Sequence, residues 1–282
     1  MLGCSAETPA DSTEDATPEA ALDSEAGAPD ATPDATPKDT TSLDVGDAST
    51  DTGADTGSPP DAGTVCTKEP THSGGLTQYD KTALGNCGAP WPADDLFAAM
   101  ATADYLAPSP AAPCGKCARI TGPTGLEAVV HVVDQCPIAT NPKCVAGHID
   151  LSHAAFAAVV PKTYPYGGEV PNDKPITWRY VPCAVTGPIV LHFKDGTNPY
   201  WIAIQVRNAR HGISKIRYRT GGAWVDATPR TNSLPYFVIS GFGKSAIDLQ
   251  SVDEFGQVLE DLAVPVAADT DVNGKAQFPA CP

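Results

Sequence analysis

Apolar and polar residues divide the chain into three stretches with different patterns. From Ser5 to Val65 there is no period at all: the segment is built from Ala, Asp, Thr, Pro, Ser, Gly and Glu, with no aromatic residue and few aliphatics larger than alanine. It cannot bury enough apolar surface to offset the entropy of ordering it, which predicts a disordered, extended spacer. Residues 66 to 183 mix short strands with two helices. In "PADDLFAAMATADYL" (92–106), acids fall in the first turn and Leu96, Phe97, Met100 and Ala103 recur at helical spacing, which predicts a helix. A second helix is expected at "LSHAAFAAVV" (151–160), with Ser152 as N-cap and Pro161 as its stop. Between them, "EAVVHVVDQC" (127–136) is β-branched and reads as a buried strand that delivers Asp134 near its end.

Residues 184 to 282 contain no convincing helix. Strands are expected at "IVLHFK", "WIAIQVR", "ISKIRYR", "AWVD", "YFVIS", "AIDLQSV" and "VLEDLAVPV", with turns at "DGTNP" and "TGG". That number of strands in so short a stretch suits an immunoglobulin-like sandwich. "WRYVPCAVTGPI" joins the two halves with few linker residues, which predicts a nearly fixed orientation between them. Within "TNPYWIAIQVRN" (197–208), Ile202, Ile204 and Val206 form a core face. Trp201, Ala203, Gln205 and Arg207 form the other face, which should see water. A tryptophan beside Tyr200 on a wet face needs a reason. Lys215, Arg217 and Arg219 alternate in the next strand and read most simply as a solvated face.

Charge sharpens this division. The net charge is −16, but residues 1 to 65 hold 15 acids against the single base Lys38, while residues 66 to 282 hold 19 acids and 17 bases. The acidity belongs to the spacer; the foldable part is near neutral and no nucleic-acid partner is expected. No run of about 18 apolar residues exists to span a membrane. Met1-Leu2-Gly3-Cys4-Ser5 resembles the end of a bacterial lipoprotein signal, so Cys4 is a candidate for acylation, and a lipid anchor would be the sole contact with a membrane. The eight other cysteines are even in number and scattered through loops, as in a disulfide framework made in an oxidising, extracellular or cell-surface setting. "CGKC" (114–117) has redox-pair spacing, but prolines precede it and a strand-like "CARITGP" follows, where a redox motif needs a helix. Nor do the spacings form paired zinc knuckles, so neither metal nor cofactor is expected.

The densest chemistry lies in "HVVDQCPIATNPKCVAGHIDLS" (131–152), where Asp134 and Asp150 flank a loop bounded by Cys136 and Cys144. Two carboxylates on a rigid frame are what glycoside hydrolysis requires, one to protonate the leaving oxygen and one to activate water or attack. The same residues have structural readings. Asp150 precedes a helix whose dipole favours a carboxylate, and Asp134 can bind turn amides.

Taken in order, "GNCG" (85–88), "CGKCARITGPTG" (114–125), "VVDQCP" (132–137), "GHIDLSHAAF" (147–156), "ITWRYVPC" (176–183), "FKDGTNPYWIAIQVRN" (193–208) and "GGAW" (221–224) resemble the microbial expansins over about residues 72 to 280. The resemblance implies a mainly β protein: a disordered linker with a possible lipoprotein anchor over 1–65, a six-stranded double-psi β-barrel over 66–183, and an immunoglobulin-like carbohydrate-binding domain over 184–282. It implies loosening of cellulose-containing walls without cutting glycan chains, with cellulose and associated wall polysaccharides as partners. An inverting endoglucanase, a lytic enzyme on peptidoglycan and an inactive carbohydrate-binding surface lipoprotein are the rival readings. By the same resemblance Asp150, Asp134 and Thr77 line the barrel groove. Tyr200, Trp201 and Tyr236 form an aromatic platform, with Lys194 nearby. Some members carry a groove tyrosine where this chain has Cys136, and Trp91 is the candidate to replace it. The implied disulfides are Cys87–Cys114, Cys117–Cys183 and Cys136–Cys144, which leaves Cys66 and Cys281 to pair with each other.

Overall fold

A computed structural model describes residues 69–82, 84–106, 113–165, 167–174, 176–229 and 235–280. Cys4, the acidic spacer and the expected Cys66–Cys281 bridge lie outside the described residues. Among those described, no helix is long and apolar enough to cross a membrane.

The first half contains β1 (His72–Gly74), β2 (Leu76–Tyr79), β3 (Phe97–Ala101), the short helix α1 (Thr102–Tyr105), β4 (Cys117–Thr121), β5 (Glu127–Cys136), β6 (Ile149–Ser152), α2 (His153–Val159) and β7 (Ile176–Val181). These strands form one sheet in the order β1-β7-β4-β5-β3-β6-β2. β1 and β2 are a single run interrupted at Gly75, so its first part pairs with β7 and its second with β6. The sheet thereby closes into a six-stranded barrel. Leu76, Met100, Ile120, Val132, Ile149, Leu151 and Trp178 fill it, each fully buried. Gly75 is required where it stands: a Cβ there would lie 2.5 Å from both the Asn172 side-chain oxygen and the Val170 carbonyl.

The helix expected over 92–106 is mostly absent. Phe97–Ala101 is β3, seated between β5 and β6 with all five residues buried, and only Thr102–Tyr105 turns helical. A short run buried on every side carries no usable period, so its three alanines fit a strand as well as a helix. The second helix formed as expected: Ser152 caps α2 by accepting from Ala155 N at 3.1 Å. The strand at 127–136 is β5.

The second half contains β8 (Val190–Phe193), β9 (Trp201–Arg207), β10 (Ile213–Thr220), β11 (Ala223–Asp226), β12 (Thr228–Pro229), β13 (Phe237–Ser240), β14 (Ala246–Asp253), β15 (Val258–Pro265) and β16 (Thr270–Asn273). Two sheets, β12-β13-β9-β8-β16 and β11-β10-β14-β15, pack over Ile189, Leu191, Phe193, Ile202, Ile204, Ile216, Ile239, Leu249 and Phe278. The architecture is mainly β, a double-psi β-barrel followed by an immunoglobulin-like sandwich. The strands missed in the sequence, β12 and β16, are short and lie at the two edges of one sheet.

The face of β9 expected to see water is only partly wet. Gln205 is buried and donates to Cys87 O at 2.8 Å, and Arg207 donates to Gly88 O at 2.9 Å. This end of the sheet's outer face rests on a barrel loop. On the far side of the junction, the buried Lys116 of the barrel meets Glu254 of the sandwich at 2.5 Å and Glu69 at 3.2 Å, above the ring of Tyr180.

Candidate functional site

Three strands build the barrel groove. Ala99 of β3 pairs with Asp150 of β6 on one side and with Asp134 of β5 on the other. Register partners point to the same face, so both carboxylates flank a methyl group, with their backbones on the order of 10 Å apart. A bulge between Ala98 and Ala99 leaves Val133 unpaired and brings Asp134 onto that face, as bulges beside functional sites commonly do. Ala99, Ala101 and the Cys136–Cys144 disulfide pack together beneath the groove, with Tyr79 against them.

The two aspartates have different surroundings. Asp134 is half-buried and accepts from the backbone N–H groups of Asn86 (2.7 Å) and Gln135 (2.8 Å). Asp150 is buried, with Thr77 Oγ1 2.8 Å from its Oδ1 and the Cys136 sulfur 3.7 Å from its Oδ2. Burial pushes its carboxyl above the usual range, the Thr77 hydrogen bond opposes this, and the charge of Asp134 adds to it. Thr77 thus stands where it was expected, paired in register with Asp150 through the parallel β2–β6 contact.

Other groove residues gave little sign of themselves. His148, 1% exposed, places Nε2 2.9 Å from Thr77 Oγ1 and Nδ1 2.9 Å from the side-chain oxygen of Asn172. Its signal was available: it precedes Asp150 by two residues, the strand repeat. Asn172 lies on a loop with no motif. Tyr79 follows Thr77 by two and faces the same side. Its hydroxyl is buried without a hydrogen-bond partner among the described residues, and burial together with Asp134 and Asp150 holds the phenol well above its ordinary range. Trp91 packs on Phe97, ring centroids 4.7 Å apart.

On the sandwich, Tyr200 is 72% exposed and Trp201 half-buried. The turn before β9 presents them together: Asn198 Oδ1 accepts from the N–H groups of both, at 2.9 and 3.2 Å. Tyr200 therefore precedes the strand and escapes its alternation. Lys194 donates its backbone N–H to Ala203 O, which sets it beside Trp201's row. Tyr236 does not join them. It is 5% exposed, one residue before Phe237, which pairs with Ile204; its ring nears His192 and its hydroxyl end lies by Gly88. It fills the junction with the barrel and offers no ring face to a sugar. Lys215 and Arg217 pair with Asp226, and Arg219 stacks on Trp224.

The disulfides Cys87–Cys114, Cys117–Cys183 and Cys136–Cys144 are all present. Cys114 and Cys117 therefore bond to different partners, which removes the redox-pair reading of "CGKC".

No family model matches the chain. Expansin-YoaJ of Bacillus subtilis is 28% identical over 176 residues, 60% of this chain and 68% of the relative. Expansin-like protein 1 of Dictyostelium discoideum is 25% identical over 209 residues, 72% of this chain and 70% of the relative. Among solved structures, the apo expansin of Clavibacter michiganensis superposes with a TM-score of 0.63 at 26% identity, covering 75% of this chain and all of that one. The chain is related to the microbial expansins. A mutant of the Clavibacter expansin, solved in complex with cellohexaose, superposes equally well.

Proposed function

We propose that this expansin relative loosens cellulose-containing walls without cutting glycan chains, acting outside the cell or at its surface. The observation that carries the reading is the exposed Tyr200 beside the half-buried Trp201 at one end of a sheet whose other end rests on the barrel. Flat rings stack on the apolar faces of glucose units, at about 1–3 kcal/mol per stack by analogy with bases on aromatic rings. The complex of its Clavibacter relative with cellohexaose supports a glucan as ligand. The barrel groove grips a second glucan through Asp150, Asp134 and Thr77, and competes for its hydrogen bonds to neighbouring chains. Adsorption to cellulose and creep of heat-killed plant wall under load test this together. Wild type should do both, and Trp201→Ala should weaken both.

A second reading rests on Asp134 and Asp150 sharing one face. Inverting glycosidases hold an acid and a base on opposite sides of the scissile bond, about 6.5–9.5 Å apart. Soluble sugar released from amorphous cellulose or peptidoglycan would favour it.

A further inference from the structure

Hydrogen-bond accounting around His148 fixes where protons sit in the groove. The Asn172 amide is oriented by two backbone partners: its oxygen accepts from Gly75 N (2.8 Å) and its Nδ2 donates to Lys143 O (3.1 Å). The same oxygen faces His148 Nδ1 at 2.9 Å, so Nδ1 must carry a hydrogen. On the other side of the ring, Nε2 faces Thr77 Oγ1, which in turn faces Asp150 Oδ1. Thr77 has one hydrogen to give and stands between two groups.

The proton count follows. With a bare carboxylate and a neutral ring, Thr77 satisfies one neighbour and leaves two acceptors facing each other across the second contact. With a protonated carboxyl and a protonated ring, both donate to Thr77 and its own hydrogen has no acceptor, since Asn141 Nδ2 already donates to it at 3.4 Å. Every bond is made only when Asp150 and His148 hold one proton between them. That proton can sit on the acid, giving a neutral pair, or on the ring, giving an ion pair separated by a hydroxyl.

Burial decides between the two. Asp150 and Thr77 are 8% exposed and His148 1%. Two desolvated charges held apart by an intervening hydroxyl recover little of their hydration. The surroundings add to this. Asp134 and Tyr79 face Asp150 with no positive charge among them, and the Cys136–Cys144 disulfide beside it is uncharged; for His148, burial outweighs the Asn172 hydrogen bond and the Asp150 charge, which favour a charged ring, and Lys143 opposes one. We infer that Asp150 is held as a neutral carboxylic acid whose proton is secured through Thr77 by a neutral His148 in its Nδ1–H form, itself set by Asn172.

This deepens the non-cleaving reading and rests on the groove being the glucan site. An acid held this way keeps its one hydrogen on Thr77 and offers a glucan hydroxyl only its second oxygen, as an uncharged acceptor. It also resists giving its proton away, because a departed proton leaves Thr77 one hydrogen short.

The test is nitrogen and carbon NMR on the isotope-labelled full chain without any ligand. The His148 ring should show the neutral Nδ1–H pattern with no titration near about pH 6.5, and the Asp150 carboxyl should keep a protonated-acid shift at pH values well above about 4. Asp150→Asn, which mimics the neutral acid, should leave the His148 ring signals in the same tautomer, and Asn172→Ala should release it. An Nε2–H ring, an imidazolium, or a carboxyl titrating near about pH 4 would overturn the inference. No wall or cellulose enters the measurement, so its failure is separate from a failure of wall loosening.

Discussion

Gln205 and Asp134 hold adjacent residues of one loop. Asp134 accepts from Asn86 N at 2.7 Å, and Gln205 donates to Cys87 O at 2.8 Å. The groove carboxylate and the strand that begins with Trp201 are thus joined through two consecutive residues, with the Cys87–Cys114 disulfide fixing the loop. Gln205→Ala leaves the Cys87 carbonyl without this donor, at a cost of about 1–3 kcal/mol in chemical denaturation. Creep should fall more than adsorption to cellulose, because the platform itself is untouched.

Lys116 gives a second test of the junction. Its ammonium is buried between Glu254 and Glu69, and burial raises the Glu254 carboxyl. Lys116→Met alone strands a buried carboxylate and should cost about 3–5 kcal/mol. Adding Glu254→Leu should recover much of that loss, which a double-mutant cycle by denaturation measures directly.

The platform separates into binding and packing residues. Trp201→Ala should weaken cellulose adsorption by about 5- to 150-fold, the equivalent of one lost stack of about 1–3 kcal/mol, with little change in melting temperature. Tyr236→Ala should instead lower stability by about 3–5 kcal/mol, as deletion of a large buried aromatic does.

The pH dependence of stability should report Asp150. Its folded carboxyl is raised, so the folded state prefers the protonated form, and the group's contribution weakens as pH rises above the unfolded value of about 3.9. Asp150→Asn removes that dependence. The variant should melt at a higher temperature than wild type at neutral pH, with the difference vanishing below about pH 4 in calorimetric scans.

The fold was legible where one physical demand acted alone. The β-branched run 127–136 and the capped helix after Ser152 carry their structure locally. Phe97–Ala101 does not, since a strand walled in by β5 and β6 shows neither alternation nor period. The paired acids and the Tyr-Trp pair stood out as residue types that need a reason where they are. Asn172 and the buried role of Gln205 were invisible, because each acts on a backbone group that only folding brings near. Tyr236 shows the opposite failure. An aromatic at a plausible position in sequence became filler, because the sheet's outer face divides between solvent and barrel.

The central claim is tested most directly by creep of heat-killed plant wall under load, with soluble sugars measured in the same tube. The account predicts creep without released sugar, lost in Asp150→Ala. Sugar release that disappears with Asp150→Ala would contradict it and make Asp150 the acid of a glycosidase.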